Sequence, residues 1–202
     1  MFSAQTSRPL TRRPRWTSRL VAAALAALAS GVVIQAPNAN ADIMIGGYSV
    51  GGEIGDAYLG SGGVFKWGAP TAAEAAAAQG GRFQTFARDV SFYTHPSVDD
   101  GTAHQVGGAI RARWAKAGWE RGPLGFPTSD EDRAGSGRAN EFQGGVICWS
   151  KTGGAQIVWG EIQRKWEDAG GARGYYGVPL GGEYRVGSRF AQDFANGTIF
   201  WP

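Results

Sequence analysis

The sequence has three groups of residues whose types could do chemistry, and the first is a Gly-x-Ser-x-Gly run at residues 47–51. In hydrolases such a run places a nucleophilic serine on a turn between a buried strand and a helix, with Asp and His partners later in the chain. The exported chain described below starts too close to Ser49 for a parallel sheet to precede it. We therefore interpret the run as a flexible lead-in to a helix and expect no catalytic residue there.

The second group combines histidine and aspartate within the segment 94–106, at His95, His104, Asp99 and Asp100. Two imidazoles and two carboxylates could bind a metal ion or act as an acid–base pair. We favour a solvated polar loop, because the sequence has neither a spaced cysteine–histidine cluster nor a phosphate-binding loop. We expect no metal ion and no cofactor, and metal binding by this segment stays open as the alternative.

The third group is a glutamate that recurs four residues after a proline, at Glu74, Glu131 and Glu183. A glycosidase needs two carboxylates at a fixed separation, whereas a residue that recurs at one place more often stabilises local structure. We favour ion pairs between these acids and the arginines that follow them, with ligand contact second and catalysis third. The arginines are Arg82, Arg138 and Arg189. The candidate ligand contacts are Glu131, Glu183, Arg138 and Arg189.

The glutamates belong to a long internal repeat. Two segments share the pattern Gly-x-Ile-x-x-x-Trp, Gly-x-Pro, Glu and Phe-x-x-Gly-x-Ile-x-Trp at a constant offset of 52 positions. They end at Trp149 and Trp201, and a looser first copy with its proline at Pro70 precedes them. In that copy we align Tyr58 and Tyr93 with the two tryptophans. The approximate copies are 48–106, 107–158 and 159–202, and such self-similarity is typical of repeat proteins.

Each copy begins with a predicted amphipathic helix. An isoleucine and an aromatic residue four positions later lie on one helical face, with polar residues on the other. The pairs are Ile54 and Tyr58, Ile110 and Trp114, and Ile162 and Trp166. Gly118 and Gly170 follow two of these helices and suit a left-handed helix end.

The rest of each copy predicts an extended connector and a β-hairpin. Proline in the Gly-x-Pro tetrad restricts the preceding residue to extended conformations. Asn196-Gly197 is a strong hairpin signal between two apolar runs. Cys148 aligns with Phe92 and Phe200, which indicates a buried and inert thiol.

These elements predict an α+β fold of three tandem helix–connector–β-hairpin repeats. One unit of about 50 residues buries too little apolar surface to fold alone, so we expect the three to share one core. The aromatic residues of the repeat are the natural members of that core. A closed, propeller-like ring and a short linear stack both fit the sequence.

The first 41 residues have the features of a secretory signal peptide. Five arginines without an acid precede an apolar run at residues 20–34, and Ala39-Asn40-Ala41 forms a cleavage site. The run is shorter than the ~20 residues that a membrane-spanning helix needs. We therefore predict a signal peptide at 1–41, a repeat domain at 42–202, and a secreted protein.

Removal of the leader reverses the sign of the net charge. The whole chain is formally +3, but residues 42–202 keep 15 Lys and Arg against 17 Asp and Glu, a formal charge of −2. Nucleic-acid binding normally requires a basic surface. We expect no nucleic-acid partner.

Aromatic residues that break the repeat pattern are candidates for sugar binding, because the core does not demand them. Trp119 and Tyr175 lie between a helix and the following tetrad, in a segment that we expect to be exposed. Flat aromatic faces beside hydrogen-bonding groups suit sugar rings. The sequence thus predicts a carbohydrate site at these loops.

The tetrad Leu124-Gly125-Phe126-Pro127, framed by the residues above, resembles the LGFP repeat family. The resemblance covers nearly all of residues 42–202 and is weakest in the first copy, which reads Trp-Gly-Ala-Pro. It implies an exported, wall-associated protein of a mycolic-acid-containing actinobacterium that binds arabinogalactan or peptidoglycan without catalysis. Another exported protein is the alternative partner, and a small wall hydrolase is the least favoured function.

Overall fold

The computed structural model describes residues 42–202, and its first elements form a β-hairpin. Strands β1 (Ile43–Ile45) and β2 (Tyr48–Val50) pair antiparallel. Ser49 lies within β2, so the prediction of a flexible lead-in was wrong. The hairpin forms because Ile43, Ile45 and Val50 pack against the first apolar cluster. The signal peptide predicted at 1–41 lies outside the described residues.

The helices follow the predicted faces. They are α1 (Gly52–Gly60), α2 (Gly63–Trp67), α3 (Gly108–Lys116) and α4 (Gly160–Asp168). In α3 the buried residues are Ile110 and Trp114, and in α4 they are Ile162 and Trp166. Short 3₁₀ turns lie at Ala78–Gly80, Asp99–Gly101, Trp119–Arg121 and Gly171–Arg173.

Three larger antiparallel sheets surround the predicted hairpins, and mixed helix with antiparallel sheet makes the fold α+β. Strands β3 (Ala75–Ala76), β4 (Arg82–Phe86), β5 (Val90–Thr94) and β6 (His104–Gly107) form the first. Strands β7 (Asp132–Ala134), β8 (Gly137–Phe142), β9 (Gly145–Ser150) and β10 (Gly154–Val158) form the second. Strands β11 (Tyr184–Val186), β12 (Arg189–Phe194) and β13 (Gly197–Trp201) form the third. None of the sheets in the described part closes on itself.

We call residues 52–107, 108–158 and 160–201 the first, second and third segments. Each has a nine-residue helix that precedes its sheet. The last strand of one sheet leads directly into the helix of the next segment, as β6 leads into α3. The helix α3 contacts both β5–β6 and β9–β10, so it joins two neighbouring sheets.

The buried residues form three clusters rather than the single core that we expected. The middle cluster combines Val106 of the first segment with Ile110, Trp114 and Phe142 of the second. The last cluster combines Cys148 and other second-segment residues with the third segment. The middle and last clusters therefore each combine two neighbouring segments, whereas the first combines the β1–β2 hairpin with the first segment.

The aromatic residue of each long helix also holds the following tetrad through a hydrogen bond. Tyr58 Oη donates to the Gly68 carbonyl (2.7 Å), Trp114 Nε1 to Gly125 (3.2 Å) and Trp166 Nε1 to Gly177 (2.8 Å). All three glycines have positive φ angles of 66–78°, which few other residues adopt without strain. The tetrad prolines then bridge to phenylalanines, at Pro70–Phe86, Pro127–Phe142 and Pro179–Phe194.

A longer turn shifts the register of the first sheet. Three residues separate Phe86 from Val90, whereas two separate Phe142 from Gly145. As a result Arg82 faces Thr94 across the strands, at the place where Arg138 faces Trp149. Our alignment of Tyr93 with Trp149 was wrong by one residue, and a shift of one residue moves a side chain to the other face of the sheet.

The alignment of Cys148 changes by the same shift, from Phe92 to Tyr93. Cys148 is fully buried, as we predicted, and is not in a disulfide. Burial raises the pKa of its thiol to about 11. A thiol in this state is a poor nucleophile near neutral pH.

Candidate functional site

Three buried amide side chains each join the strand before a long helix to the loop that follows the next tetrad. The Asn140 Nδ2 donates to the carbonyls of Gln105 in β6 and Ser129 after the tetrad, both at 2.9 Å. Gln84 joins Ser49 to Ala72 in the same way, and Gln192 joins Ile157 to Gly181. All three amides are fully buried. They tie the strand before each helix to the loop after the tetrad proline.

These amides were not among the residues predicted from the sequence. A signal existed, because a Gln or Asn stands two positions before Phe86, Phe142 and Phe194. A polar residue at a strand position that faces the core indicates a specific hydrogen-bonding role, since burying an unpaired amide is costly.

A groove lies where the first segment meets the second. Its central part is a cavity of about 320 Å³ between the start of α3, the strand β9 and the end of α2. The side chains that matter here are Trp67, Arg88, Glu131, Arg138 and Trp149. A second cavity of about 390 Å³ has Arg138 and Trp149 in its lining as well. We call these two neighbouring cavities together the Arg–Trp groove.

Arg138 and Trp149 stand at the middle of the Arg–Trp groove. They are cross-strand partners in the β8–β9 pair, so their side chains lie on the same face of the sheet. Trp149 is partly buried against the middle cluster. Arg138 forms an ion pair with Glu131, whose side chain is only 16% exposed. The site therefore presents an indole beside a guanidinium whose position a carboxylate holds.

The Arg82–Glu74 pair of the first segment is the counterpart of Arg138–Glu131 and confirms the second predicted ion pair. It lines a cleft of about 750 Å³, but Thr94 stands there in place of the tryptophan. Three more carboxylates line this cleft. They are Asp42, Glu53 and Asp100.

The predicted pair of Glu183 with Arg189 was wrong. Within residues 42–202 no ion pair joins them, and both are exposed. Phe190 faces Trp201 at the place of Arg138, so Arg189 is one residue too early and points to the opposite face. Its guanidinium lies 4.7 Å from the ring centre of Phe200 instead. Only the second segment therefore combines arginine with tryptophan at this position.

The structure does not bring Trp119 and Tyr175 together. Trp119 is partly buried, with its ring edge-on to Trp114 at 5.3 Å and Arg111 over it at 5.3 Å. Tyr175 is 72% exposed and packs edge-on against Tyr176, next to the last cluster. The two residues thus belong to different segments. Tyr175 fits the expectation of an exposed aromatic, whereas Trp119 contributes to the core.

The histidine segment 94–106 is more ordered than the solvated loop that we favoured. His104 is buried and its Nε2 is 2.8 Å from Asp99 Oδ2, while Nδ1 is 3.6 Å from Asp130 Oδ1. Burial favours a lower pKa for His104, but the hydrogen bonds and charges of Asp130 and Asp99 outweigh it and raise that pKa. Within residues 42–202, no group of three or more His, Cys, Asp or Glu side chains could hold a metal ion.

Ser49 has a structural environment rather than that of a nucleophile elbow. Its hydroxyl donates to Asp42 Oδ2 at 2.7 Å and its carbonyl accepts the Gln84 amide at 3.0 Å. Ser49 is the middle residue of a strand, not of a strand-to-helix turn. Its hydroxyl is thus used in a local contact.

Comparison with known proteins gives a family match. The model of the LGFP repeat matches residues 68–122 and 124–174, two tandem repeats that together hold just over half of the chain. The matched ranges begin at Gly68 and Leu124 of the first two tetrads and run through the helix that follows. They contain the lining residues of the Arg–Trp groove except Trp67, whereas the third tetrad with Gly177 lies beyond them. The search of curated proteins gave no match. Within residues 42–202, no helix has both the length and the apolar composition that crossing a membrane would require.

Proposed function

The chain belongs to the LGFP repeat family, and from this premise we propose that it binds cell-wall polysaccharide, arabinogalactan or peptidoglycan, through the Arg–Trp groove. In this proposal the protein is exported, associated with the cell wall and noncatalytic. The observation that carries the proposal is the pairing of Arg138 with Trp149, which line both cavities of the groove.

The composition of the Arg–Trp groove suits a glycan. Sugar rings offer C–H faces that stack on indoles and hydroxyls that accept hydrogen bonds from guanidinium groups. Trp149 and Trp67 supply the indoles, and Arg138 supplies the donors. Two neighbouring cavities also offer places for successive units of a polymer. We therefore place the ligand here and not at Trp119 or Tyr175.

The third segment is, in our proposal, a further copy of the repeat. Trp166 and Gly177 repeat the hydrogen bond of Trp114 and Gly125, and Gln192 repeats the buried amide of Asn140. Without Arg138 and with Phe190 in its place, this copy would support the groove of the second segment rather than bind ligand itself.

A noncatalytic role agrees with the carboxylates of the Arg–Trp groove. Hydrolysis of a glycosidic bond normally needs two carboxyl groups on either side of the bond. Glu131 is the one carboxylate among the groove's described lining residues, and Arg138 is its ion-pair partner. LGFP repeats are, moreover, generally not catalytic.

The test is a pull-down of the protein on purified, protein-free cell wall. We compare the wild type with Trp149→Ala and use Trp201→Ala, the counterpart in the third segment, as the matched control. Trp149→Ala should weaken binding by about tenfold or more, the loss of roughly 1.5 kcal/mol expected for an aromatic–ligand contact. Soluble arabinogalactan and peptidoglycan fragments then compete for the bound protein and name the ligand. Equal binding by both variants would contradict the proposal, and release of soluble sugar would contradict the noncatalytic role.

A protein partner is the second candidate function, and a surface of the first segment favours it. Phe65 is 88% exposed on α2, and Leu59 and Val64 beside it are also exposed. Exposed apolar groups of this size often mark protein contacts. If the wild type does not bind protein-free wall, Phe65→Ser should reduce its recovery with other exported proteins after cross-linking, whereas Trp149→Ala should not.

A further inference from the structure

We infer that the ligand of the Arg–Trp groove is an acidic glycan, whose negatively charged groups pair with Arg88, Arg133 and Arg138. This inference rests on the proposed function and adds to it the charge of the ligand. Polysaccharide binding does not require a charged polymer, so the two statements can fail separately.

The first observation is a pair of like charges held face to face. Arg133 in β7 and Arg138 in β8 are direct cross-strand partners, so their side chains lie on one face of the sheet. Like charges at such positions are destabilising. Glu131 neutralises Arg138 only. An anion bound between the two guanidinium groups would relieve the remaining repulsion, and guanidinium is well suited to carboxylate and phosphate.

The second observation is that two arginines of the groove have no carboxylate partner. Within residues 42–202, no ion pair includes Arg88 or Arg133, and both side chains are exposed. Arg88 Nη1 has a backbone carbonyl, that of Lys66, as its partner at 3.3 Å. The lining residues of the groove thus carry three positive charges and one negative charge, although residues 42–202 as a whole are formally −2.

The third observation is the orientation of α3. Its first residues line the groove, so the positive end of the helix dipole faces the ligand space. Gly107 and Gly108 carry no side chain at this end, and the Gly108 N–H donates to the Asp89 carbonyl at 3.0 Å. The helix end adds to the arginines and favours an anion at the same place.

The corresponding cleft of the first segment supports the inference by contrast. Asp42, Glu53, Glu74 and Asp100 outnumber Arg82 there, so that cleft repels anions. Two clefts at equivalent places of one fold therefore have opposite charge. An acidic ligand would thus be attracted to the groove of the second segment and repelled by the cleft of the first.

The experiment measures binding of the full chain to protein-free wall and to the same wall after its carboxyl groups are reduced to alcohols. The test variant is Arg88→Ala/Arg133→Ala. The matched control is Arg185→Ala, which removes the arginine at the place of Arg133 in the third segment, where it faces Phe190. All variants begin at the same residue, so a difference in binding between them is caused by the substituted arginines. Thermal unfolding of each variant verifies that it is folded.

We expect the double variant to bind untreated wall about tenfold more weakly at low salt and the control to bind like the wild type. The difference should shrink in about 0.5 M salt, where exposed charges are screened. Wild-type binding that falls on the reduced wall assigns the acid to carboxylates. Binding that persists there, yet still depends on Arg88 and Arg133, assigns it to phosphodiesters, which survive the reduction.

Equal binding by the wild type and the double variant would overturn the inference. If Trp149→Ala still weakens binding in that case, the proposed function stands and the ligand is neutral. If neither change weakens binding, both the acidic ligand and the proposed site are wrong.

Discussion

The indole nitrogen of Trp166 donates a 2.8 Å hydrogen bond to the carbonyl oxygen of Gly177, eleven residues later. The same ring packs on Phe194, with centroids 5.9 Å apart. One side chain thereby joins the helix α4, the tetrad and the sheet that follows. The tryptophan of this repeat is therefore a connector as well as an apolar core residue.

Two substitutions separate these roles of Trp166. Trp166→Phe keeps an apolar ring but leaves the Gly177 carbonyl without its donor, so we expect a loss of about 1–3 kcal/mol in the free energy of unfolding. Trp166→Ala also removes the packing and should cost about 3–5 kcal/mol. Urea denaturation followed by circular dichroism measures both. Equal losses for the two variants would show that the packing of the ring adds little to stability beyond the hydrogen bond.

The buried amide of Asn140 gives a second prediction. Asn140→Ala leaves the carbonyls of Gln105 and Ser129 unpaired in the interior, so we expect a loss of about 2–4 kcal/mol. The neighbouring exposed residue is the control, since Glu141→Ala should change stability by less than about 0.5 kcal/mol. Urea denaturation again measures the change. A loss below about 1 kcal/mol for Asn140→Ala would mean that water replaces the amide at low cost.

The hydrogen bonds of Asn140 also predict which part of the chain unfolds locally when they are removed. Because the amide joins β6 to the loop of the second segment, its removal should increase amide hydrogen exchange on both sides of that junction. Exchange in α4, which lies beyond the next junction, should change much less. Uniform acceleration over the whole of residues 42–202 would instead indicate a single cooperative unit.

His104 should make stability depend on pH. Its pKa is raised above the ordinary 6.5, so its contribution is complete below pH 6.5 and is lost as pH rises through the raised value. The pKa of Asp130 is lowered from 3.8, so its contribution is present above that pH and is lost as pH falls through the lowered value. The stabilisation is therefore largest between these two ordinary values.

The measurement compares the wild type with His104→Gln by urea denaturation at about pH 5.5 and about pH 9. The charges of Asp99 and Asp130 raise the pKa of His104, and those of His104 and Lys66 lower the pKa of Asp130. We expect the wild type to exceed the variant in stability by more at the lower pH. An equal difference at both pH values would show that His104 does not change its protonation on unfolding.

Cys148 provides a probe of the junction between the second and third segments. Because it is buried and its pKa is about 11, we expect iodoacetamide to react slowly with the native protein and rapidly in urea. The ratio of the two rates reports the opening of the last cluster. Fast alkylation under native conditions would place the thiol at the surface and contradict its position in β9.

Much of the fold followed from local patterns. The four-residue spacing of Ile162 and Trp166 depends only on the geometry of a helix, and it placed their buried face correctly. The Gly-x-Pro tetrad likewise indicated an extended connector, since proline restricts its neighbours whatever surrounds them. The fourth strands β6 and β10 were not foreseen, because each pairs with one sheet and then enters the helix of the next segment.

The candidate site was harder to predict, because it depends on which residues face each other across strands. Sequence spacing suggested that Arg189 matches Arg138, yet the structure has Phe190 in that place. It also suggested that Trp119 is a free surface aromatic, but contact with Trp114 partly buries it. Glu131 and Arg138 were selected from the sequence as candidate ligand contacts and both line the Arg–Trp groove, whereas Trp149 was assigned only to the core and Arg88 and Arg133 were not considered.

Residue types at short separations were enough to specify the three nine-residue helices, the tetrads, the hairpins that follow them and the family. The combination of Arg138 with Trp149 and a neighbouring Arg133 at one of three equivalent places follows instead from strand pairing in the folded chain. The physical reason is that turn length sets strand register, and register decides which side chains share a face. One extra residue in the turn after Phe86 is enough to put Thr94 where the second segment has its tryptophan.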